Sequence, residues 1–84
     1  MEKKVEELWA YVEQGLTRGM TFWLEQKVEA LDDDDDEFPT VESRHAVVAR
    51  LLERLQAERR RNPVAKPDVA DAMESYLKKR LGIG

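Results

Sequence analysis

Two stripes of apolar residues at helical spacing occupy the first third of the chain. Placed at 100° per residue, one stripe comprises Val5, Leu8, Trp9, Val12 and Leu16, and the other comprises Leu24, Val28 and Leu31. The second stripe is rotated by roughly 100° from the first, which a single straight helix does not require. Because glycine costs about 1 kcal/mol in a helix interior relative to alanine, Gly15 and Gly19 predict a bend or break at 16–21 within a helix spanning 2–31.

The stretch around this break allows two interpretations. Gly15 and Gly19 have the small-xxx-small spacing of closely packed helices, and a flexible joint is the simpler interpretation of the same residues. Phe22, Trp23 and Leu24 are three bulky apolar neighbours, and a helix cannot turn all three into one narrow stripe. Either one of them is exposed or faces a partner, or Trp23 completes the first stripe and Leu24 begins the second. Whether residues 20–24 form helix or strand stays open.

An acidic run follows, with Asp at every position from 32 to 36 and then Glu37. Aspartate is a poor helix former, and negative charge opposes the macrodipole at a helix C-terminus. The run therefore predicts a solvated loop over 32–38. Pro39 and Thr40 then indicate the start of a helix, with Thr40 as its N-cap.

The second half predicts two further helices, at about 40–61 and about 67–81, joined by a linker at 62–66. The first has Arg residues in its last turn and ends at Asn62-Pro63, whereas the second has Asp68 as candidate N-cap and Gly82 as left-handed cap. Their apolar faces comprise Val41, Val47, Val48, Leu51, Leu52 and Leu55 in the first, and Val69, Met73, Tyr76, Leu77 and Leu81 in the second. We therefore predict an all-α single domain, 1–84, folded as a small antiparallel three-helix bundle.

Size and composition restrict the class of protein. A chain of 84 residues is near the lower limit for an adequate core, which favours association with a partner or with itself. It has no cysteine, no apolar stretch typical of a signal peptide, and no apolar run of the ~20 residues that a membrane helix needs. We expect a cytoplasmic protein without a membrane segment.

Charge divides the chain more sharply than its net value of −4 suggests. Residues 1–42 carry a net charge of −9, and residues 43–84 carry +5. Opposite halves should attract each other within the chain or between chains.

Candidate chemistry is sparse. Counted from Asp32, the positions where an EF-hand requires glycine and a bidentate glutamate hold Glu37 and Ser43, so the acidic run is not that calcium loop. Glu42 and His45 have a metal-ligand spacing, but such sites need several more carboxylates. No cysteine, phosphate-binding loop or nucleophile elbow is present. We predict no enzymatic activity, no cofactor, no metal and no small-molecule site.

A basic patch is a further hypothesis, since two clusters of cations end the last two predicted helices. These are Arg59, Arg60, Arg61, Lys78, Lys79 and Arg80. Together they could bind phosphate groups, or they could simply complement two helix dipoles.

Residues 20–56 contain a short apolar segment, Met20-Thr21-Phe22-Trp23-Leu24, followed by Val28 and Leu31 and then by the segment from Ser43 to Leu52. This order resembles the strand, helix and helix of the ribbon-helix-helix repressors and antitoxins. The resemblance implies a strand that pairs across a dimer and reads the DNA major groove, with Gly19, Thr21 and Trp23 facing outward.

The prediction that follows is a non-enzymatic protein–protein interaction module, such as an accessory subunit, an inhibitor or a self-associating adaptor. Its predicted partner-binding residues are aromatic or acidic: Trp9, Phe22, Trp23, Asp32, Asp33, Asp34, Asp35 and Asp36. The alternative is a nucleic-acid-associated regulator, either a ribbon-helix-helix-like DNA binder or an acidic DNA mimic.

Overall fold

The computed structural model describes residues 2–62 and 66–83, and every regular element in these ranges is helical. The elements are α1 (Glu2–Arg18), α2 (Phe22–Glu29), a 3₁₀ helix (Ala30–Asp33) that extends α2, α3 (Val41–Arg61) and α4 (Pro67–Arg80). The all-α prediction is confirmed, whereas the predicted three-helix count is corrected to four α-helices in the described ranges. Residues 63–65, with Pro63 and most of the predicted linker, lie outside them.

The break between α1 and α2 depends on two glycines with different roles. Gly19 has φ of +76°, the left-handed region that glycine adopts without strain. The backbone N–H groups of Gly19 and Met20 both donate to the Gly15 carbonyl, at 2.7 and 3.0 Å, and close the last turn of α1. A Cβ on Gly15 would overlap the Met20 carbonyl oxygen and the Met73 methyl group. Gly15 therefore permits close packing against Met20 and Met73, and Gly19 permits the left-handed turn that follows α1.

The helix directions differ from the predicted antiparallel three-helix bundle, in which the first helix would run antiparallel to the helix at about 40–61. α2 turns back along α1, so that the Lys27 ammonium lies 5.3 Å from the centre of the Tyr11 ring. The chain reverses again between the 3₁₀ helix and α3. As a result α3 runs parallel to α1, as two ion pairs four residues apart on each helix show: Glu2–Arg50 and Glu6–Arg54.

One core joins all four helices, and most of its members belong to the predicted apolar faces. Its buried residues are Val5, Leu8, Trp9, Val12, Leu24, Val28, Leu31, Phe38, Val47, Val48, Leu51, Leu52, Leu55, Met73 and Leu77. Two positions differ from the predicted pattern. Val41, at the first position of α3, is exposed, and Phe38, from the predicted solvated loop, is buried.

The helix ends test three capping predictions. Thr40 is the N-cap of α3, as predicted: its Oγ1 accepts from the Ser43 N–H at 3.0 Å. The N-cap of α4 is Lys66 and Pro67 occupies the first helical turn, so the prediction of Asp68 as N-cap is wrong. Gly82 has φ of +76° and forms the predicted left-handed cap after α4. Within the described residues, no helix combines the length and the apolarity needed to cross a bilayer.

Candidate protein interaction surface

The acidic run is partly folded rather than a free loop. Asp32 and Asp33 belong to the 3₁₀ helix, and the Asp34 carboxylate accepts a hydrogen bond from the Glu37 N–H at 3.2 Å. Of these aspartates, Asp34 alone is half-buried, and the other four are exposed. The prediction of a solvated loop over 32–38 is therefore corrected: the run stays at the surface but has a defined backbone.

Two aspartates of the run are held by arginines of the second half of the chain. Arg80 donates to both carboxylate oxygens of Asp32, at 2.8 and 3.0 Å. The hydrogen bonds from Arg80 lower the pKa of Asp32, and partial burial opposes this only in part. Asp35 accepts from Arg44 at 3.2 Å. The pairing of Asp32 with Arg80 is bidentate, which is the stronger geometry for an ion pair at a surface.

Arg44 also fixes the residue that anchors the run to the core. Its Nε donates to the Phe38 carbonyl oxygen at 3.0 Å, and the Phe38 N–H donates to the Asp34 carbonyl oxygen at 2.9 Å. The Phe38 ring lies in the core. The loop between the 3₁₀ helix and α3 is therefore held at both its backbone and its one aromatic side chain.

Part of the charge asymmetry between the two halves is compensated by ion pairs inside the fold. Four ion pairs join an acid of the first half to an arginine of the second half: Glu2–Arg50, Glu6–Arg54, Asp32–Arg80 and Asp35–Arg44. The expected attraction between the halves thus occurs within one chain.

Most of the predicted basic patch is also engaged by carboxylates. Arg59 pairs with Asp71 at 2.7 Å and with Glu74 at 2.8 Å, and these hydrogen bonds raise the pKa of Arg59. Lys78 lies 4.0 Å from Glu74, and Arg61 lies 3.5 Å from Glu58.

Arg80, the last member of the patch in sequence, is bound by Asp32. Arg60 and Lys79 are exposed and have no carboxylate of the described residues within 4 Å. Four of the six cations of the patch thus have an acid beside them, which reduces the net positive potential at this surface.

An exposed apolar cluster lies at the turn between α1 and α2, and we call it the aromatic end. It consists of Met20, Phe22 and Trp23, whose exposed fractions are 40, 54 and 42%. The two rings contact each other edge to face, with centroids 5.4 Å apart. Leu24, the next residue, is buried. Of the two interpretations of this stretch, the structure has the exposed one: both rings point outward, and Leu24 alone enters the core.

The aromatic end continues into the outer surface of the α1–α2 pair, which we call the hairpin face. A groove of about 490 Å³ runs between the two helices, and Tyr11, Lys27 and Ala30 are among its lining residues. A second depression of about 290 Å³ shares Lys27 and Ala30 with this groove and is also lined by Gln26, Glu29 and Asp33. Trp23 precedes Lys27 by one helical turn, so it lies on the same side of α2.

Glu29 and Asp33 give the far end of the hairpin face a negative charge. Both are exposed, and neither has a cation of the described residues within 4 Å. Phe22, Gln26, Glu29 and Asp33 follow at spacings of four, three and four residues, which place them along one side of α2 and its 3₁₀ extension. The hairpin face is thus aromatic at one end and acidic at the other.

Trp9 lies apart from this surface. Its side chain is buried in the core, and the guanidinium of Arg54 stacks over its ring at 4.6 Å. Of the predicted partner-binding residues, Phe22 and Trp23 lie together, whereas the aspartates lie at the other end of α2.

Within residues 2–62 and 66–83, no three side chains of His, Asp or Glu converge as metal ligands. Tyr76 is the one group with a large displacement of its pKa, which burial raises to about 12. Its hydroxyl donates to the Glu25 carbonyl oxygen at 3.3 Å, which is a packing role between α4 and α2.

Residues 20–24 do not form the strand that the ribbon-helix-helix resemblance implies. Phe22, Trp23 and Leu24 are the first turn of α2, and no residue in the described ranges is in a strand. Comparisons of the chain with protein-family models, with curated proteins and with solved structures found no match.

Several residues of this surface were not predicted from the sequence. Tyr11 and Lys27 meet only because α2 folds back along α1. Glu29 was not predicted as part of a surface because the longer acidic run at 32–37 accounted for the charge of this region. Phe38, which anchors the adjoining loop in the core, had a usable signal, since phenylalanine is among the residues most often buried.

Proposed function

We propose that the chain is a non-enzymatic protein–protein interaction module, such as an accessory subunit, an inhibitor or a self-associating adaptor, which binds its partner through the aromatic end. The observation that carries the proposal is the exposure of Met20, Phe22 and Trp23 as one cluster. Val41 and Ile83, the other large exposed apolar residues of the described ranges, lie elsewhere in the chain and are not neighbours in sequence.

The energetics of interfaces support this role. Exposed aromatic side chains at the centre of an interface are frequent hot spots, where truncation costs 2 kcal/mol or more. Phe22 and Trp23 also contact each other, so part of the entropy cost of ordering the rings is already met before a partner binds. The fold does not need either ring for its core.

The acidic run supplies the charge component of the proposed surface. Because Asp32 and Asp35 are bound to Arg80 and Arg44, we assign the partner-facing charge to the remaining exposed carboxylates, such as Asp33 and Asp36. A basic surface on the partner would be attracted to them, and salt would weaken the attraction. The expected cytoplasmic location rests on the absence of cysteine and stays a prediction.

The test compares variants that differ only in which exposed apolar residue is lost. We would measure affinity capture from the native host and mass by light scattering for Phe22→Ala and Trp23→Ala, with Val41→Ala as the matched control. The exposed fraction of Val41 is 56%, similar to that of Phe22, and Val41 does not belong to the aromatic end. Its truncation therefore removes an exposed apolar side chain outside the proposed surface.

The expected result is that the captured protein, or the self-association, is lost in the two aromatic variants and kept in Val41→Ala. Capture and mass that are the same in all three variants would contradict the proposal.

The alternative, a nucleic-acid-associated regulator, has weaker support. The strand implied by the resemblance is absent from residues 20–24, and most cations of the predicted basic patch have a carboxylate partner. A gel shift with bare DNA that weakens as salt rises would favour the DNA binder. Capture of a DNA-binding protein that is lost when Asp32–Asp36 become Asn would favour the acidic mimic.

A further inference from the structure

We infer that the partner segment is a basic amphipathic helix that lies along the hairpin face, with apolar side chains on the aromatic end and Lys or Arg side chains at Glu29 and Asp33. The inference rests on the proposed function and specifies the partner. It follows from the order of side chains along α2 and its 3₁₀ extension. The exposed rings come first, the two depressions that have Lys27 and Ala30 in common come next, and the carboxylates come last.

The shape of the surface fits a helix. The groove runs between two antiparallel helices, and a third helix laid on such a pair places one side chain per turn into the depressions. Phe22 and Asp33 are 11 residues apart, so the face is roughly 17 Å long at about 1.5 Å per residue. A partner helix would cover this length in about three turns.

Charge selects a basic partner rather than an acidic one. Glu29 and Asp33 have no cation of the described residues within 4 Å. Lys27 is directed onto the Tyr11 ring. Lys4, which also lines the groove, pairs with Glu7 at 3.4 Å. Lys4 thus has a carboxylate partner, Lys27 lies over a neutral ring, and the nearest compensating charge for Glu29 is Arg80, whose pKa Glu29 helps to raise. With Glu7, Glu29 and Asp33 against Lys4 and Lys27, the face keeps a net negative charge at its far end.

A second copy of the chain fits this surface less well. Two hairpin faces that meet with like ends together would set carboxylates against carboxylates. Two faces that meet with opposite ends together would set aromatic rings against carboxylates. Neither arrangement brings a cluster of bases to the acidic end, so we commit to a basic helix of another protein.

The probe is a synthetic 15-residue helical peptide of Leu, Ala and Lys, labelled with fluorescein, with Leu residues forming one face and Lys residues restricted to one end. A second peptide has Glu in place of every Lys, and a third has the same composition with the Leu residues scattered around the helix. Binding is measured by fluorescence polarisation at low and at high salt.

The variant Glu29→Lys with Asp33→Lys tests the acidic end, and Glu53→Lys with Asp68→Lys is the matched control. All four residues are exposed acids, so both double variants change the net charge equally. We expect the Lys peptide to bind the native chain at least tenfold more tightly than the Glu peptide. The Glu29→Lys, Asp33→Lys variant should lose or reverse this preference, and the control should keep it.

Three outcomes would overturn the inference while the proposed function stands: equal binding of the Lys and Glu peptides, equal binding of the scattered peptide, or a dimer that forms through Phe22 and Trp23 and excludes the peptide. Failure of the proposed function is seen separately, because Phe22→Ala and Trp23→Ala would then leave the capture of native partners unchanged. Circular dichroism of each variant checks that the helical fold is kept.

Discussion

The residues at the two ends of α2 differ in whether the fold uses their side chains. Just beyond its C-terminal end, in the 3₁₀ helix, Leu31 enters the core and Asp32 accepts from both terminal nitrogens of the Arg80 guanidinium. At its N-terminal end, Phe22 and Trp23 are exposed. The residues at the first end contribute to the stability of the fold, whereas the core is complete without the two rings at the second end. A surface that the fold does not use, and that is apolar, is the natural place to look for a partner.

The largest expected effect separates two neighbours on α2. Leu24→Ala removes a fully buried side chain, and we expect it to lower the free energy of unfolding by about 2–5 kcal/mol. Trp23→Ala removes a larger but exposed side chain, and we expect a loss below about 1 kcal/mol. Urea unfolding of both variants checks the difference, and equal losses would show that Trp23 belongs to the core.

The turn that presents the aromatic end should be sensitive at Gly15. Alanine there must displace the Met20 carbonyl or the Met73 methyl group, so we expect Gly15→Ala to cost about 1–3 kcal/mol in spite of the better helix propensity of alanine. Thermal unfolding measures the loss. A stabilised variant would mean that the turn adapts without strain.

The clamp at the other end of α2 predicts a loss that depends on pH. Asp32→Asn should cost about 1 kcal/mol at neutral pH, since the ion pair is bidentate but half-exposed. Because pairing lowers the pKa of Asp32 in the folded state, its contribution is present above the ordinary value of 3.8 and is lost as pH falls through the folded pKa. Asp33→Asn, with no such partner, is the control. A similar loss for both variants would contradict the clamp.

Tyr76 gives a smaller effect at alkaline pH. Burial raises its pKa to about 12, so between pH 10 and 12 the unfolded chain ionises this hydroxyl before the folded chain does, and stability falls. We expect the native chain to lose about 1 kcal/mol more than Tyr76→Phe between pH 8 and pH 11. Urea unfolding at both values measures it, and parallel losses would place the Tyr76 hydroxyl in water.

The sequence predicted the helical elements well because their signals are local. The stripe through Val5 and Val12, the Thr40 N-cap and the left-handed Gly82 each depend on a few neighbouring residues. The glycines at 15 and 19 likewise indicated where the first helix would break.

The candidate surface was less predictable because it depends on which helices meet. A single sequence does not show that α2 folds back along α1, so Tyr11 and Lys27 could not be placed together. The pairing of Asp32 with Arg80 could not be predicted either, because the two residues are 48 positions apart and water could have solvated either charge. The sequence did identify Phe22 and Trp23, through the excess of bulky side chains over one helical stripe.

The most direct test of the central claim measures the affinity of a captured partner for Trp23→Ala, beside the free energy of unfolding of the same variant. We predict a loss of binding of 2 kcal/mol or more, about 30-fold in Kd, with the unfolding free energy lowered by less than about 1 kcal/mol. Val41→Ala should change neither quantity by more than about 0.5 kcal/mol. An unchanged Kd for Trp23→Ala would contradict the account.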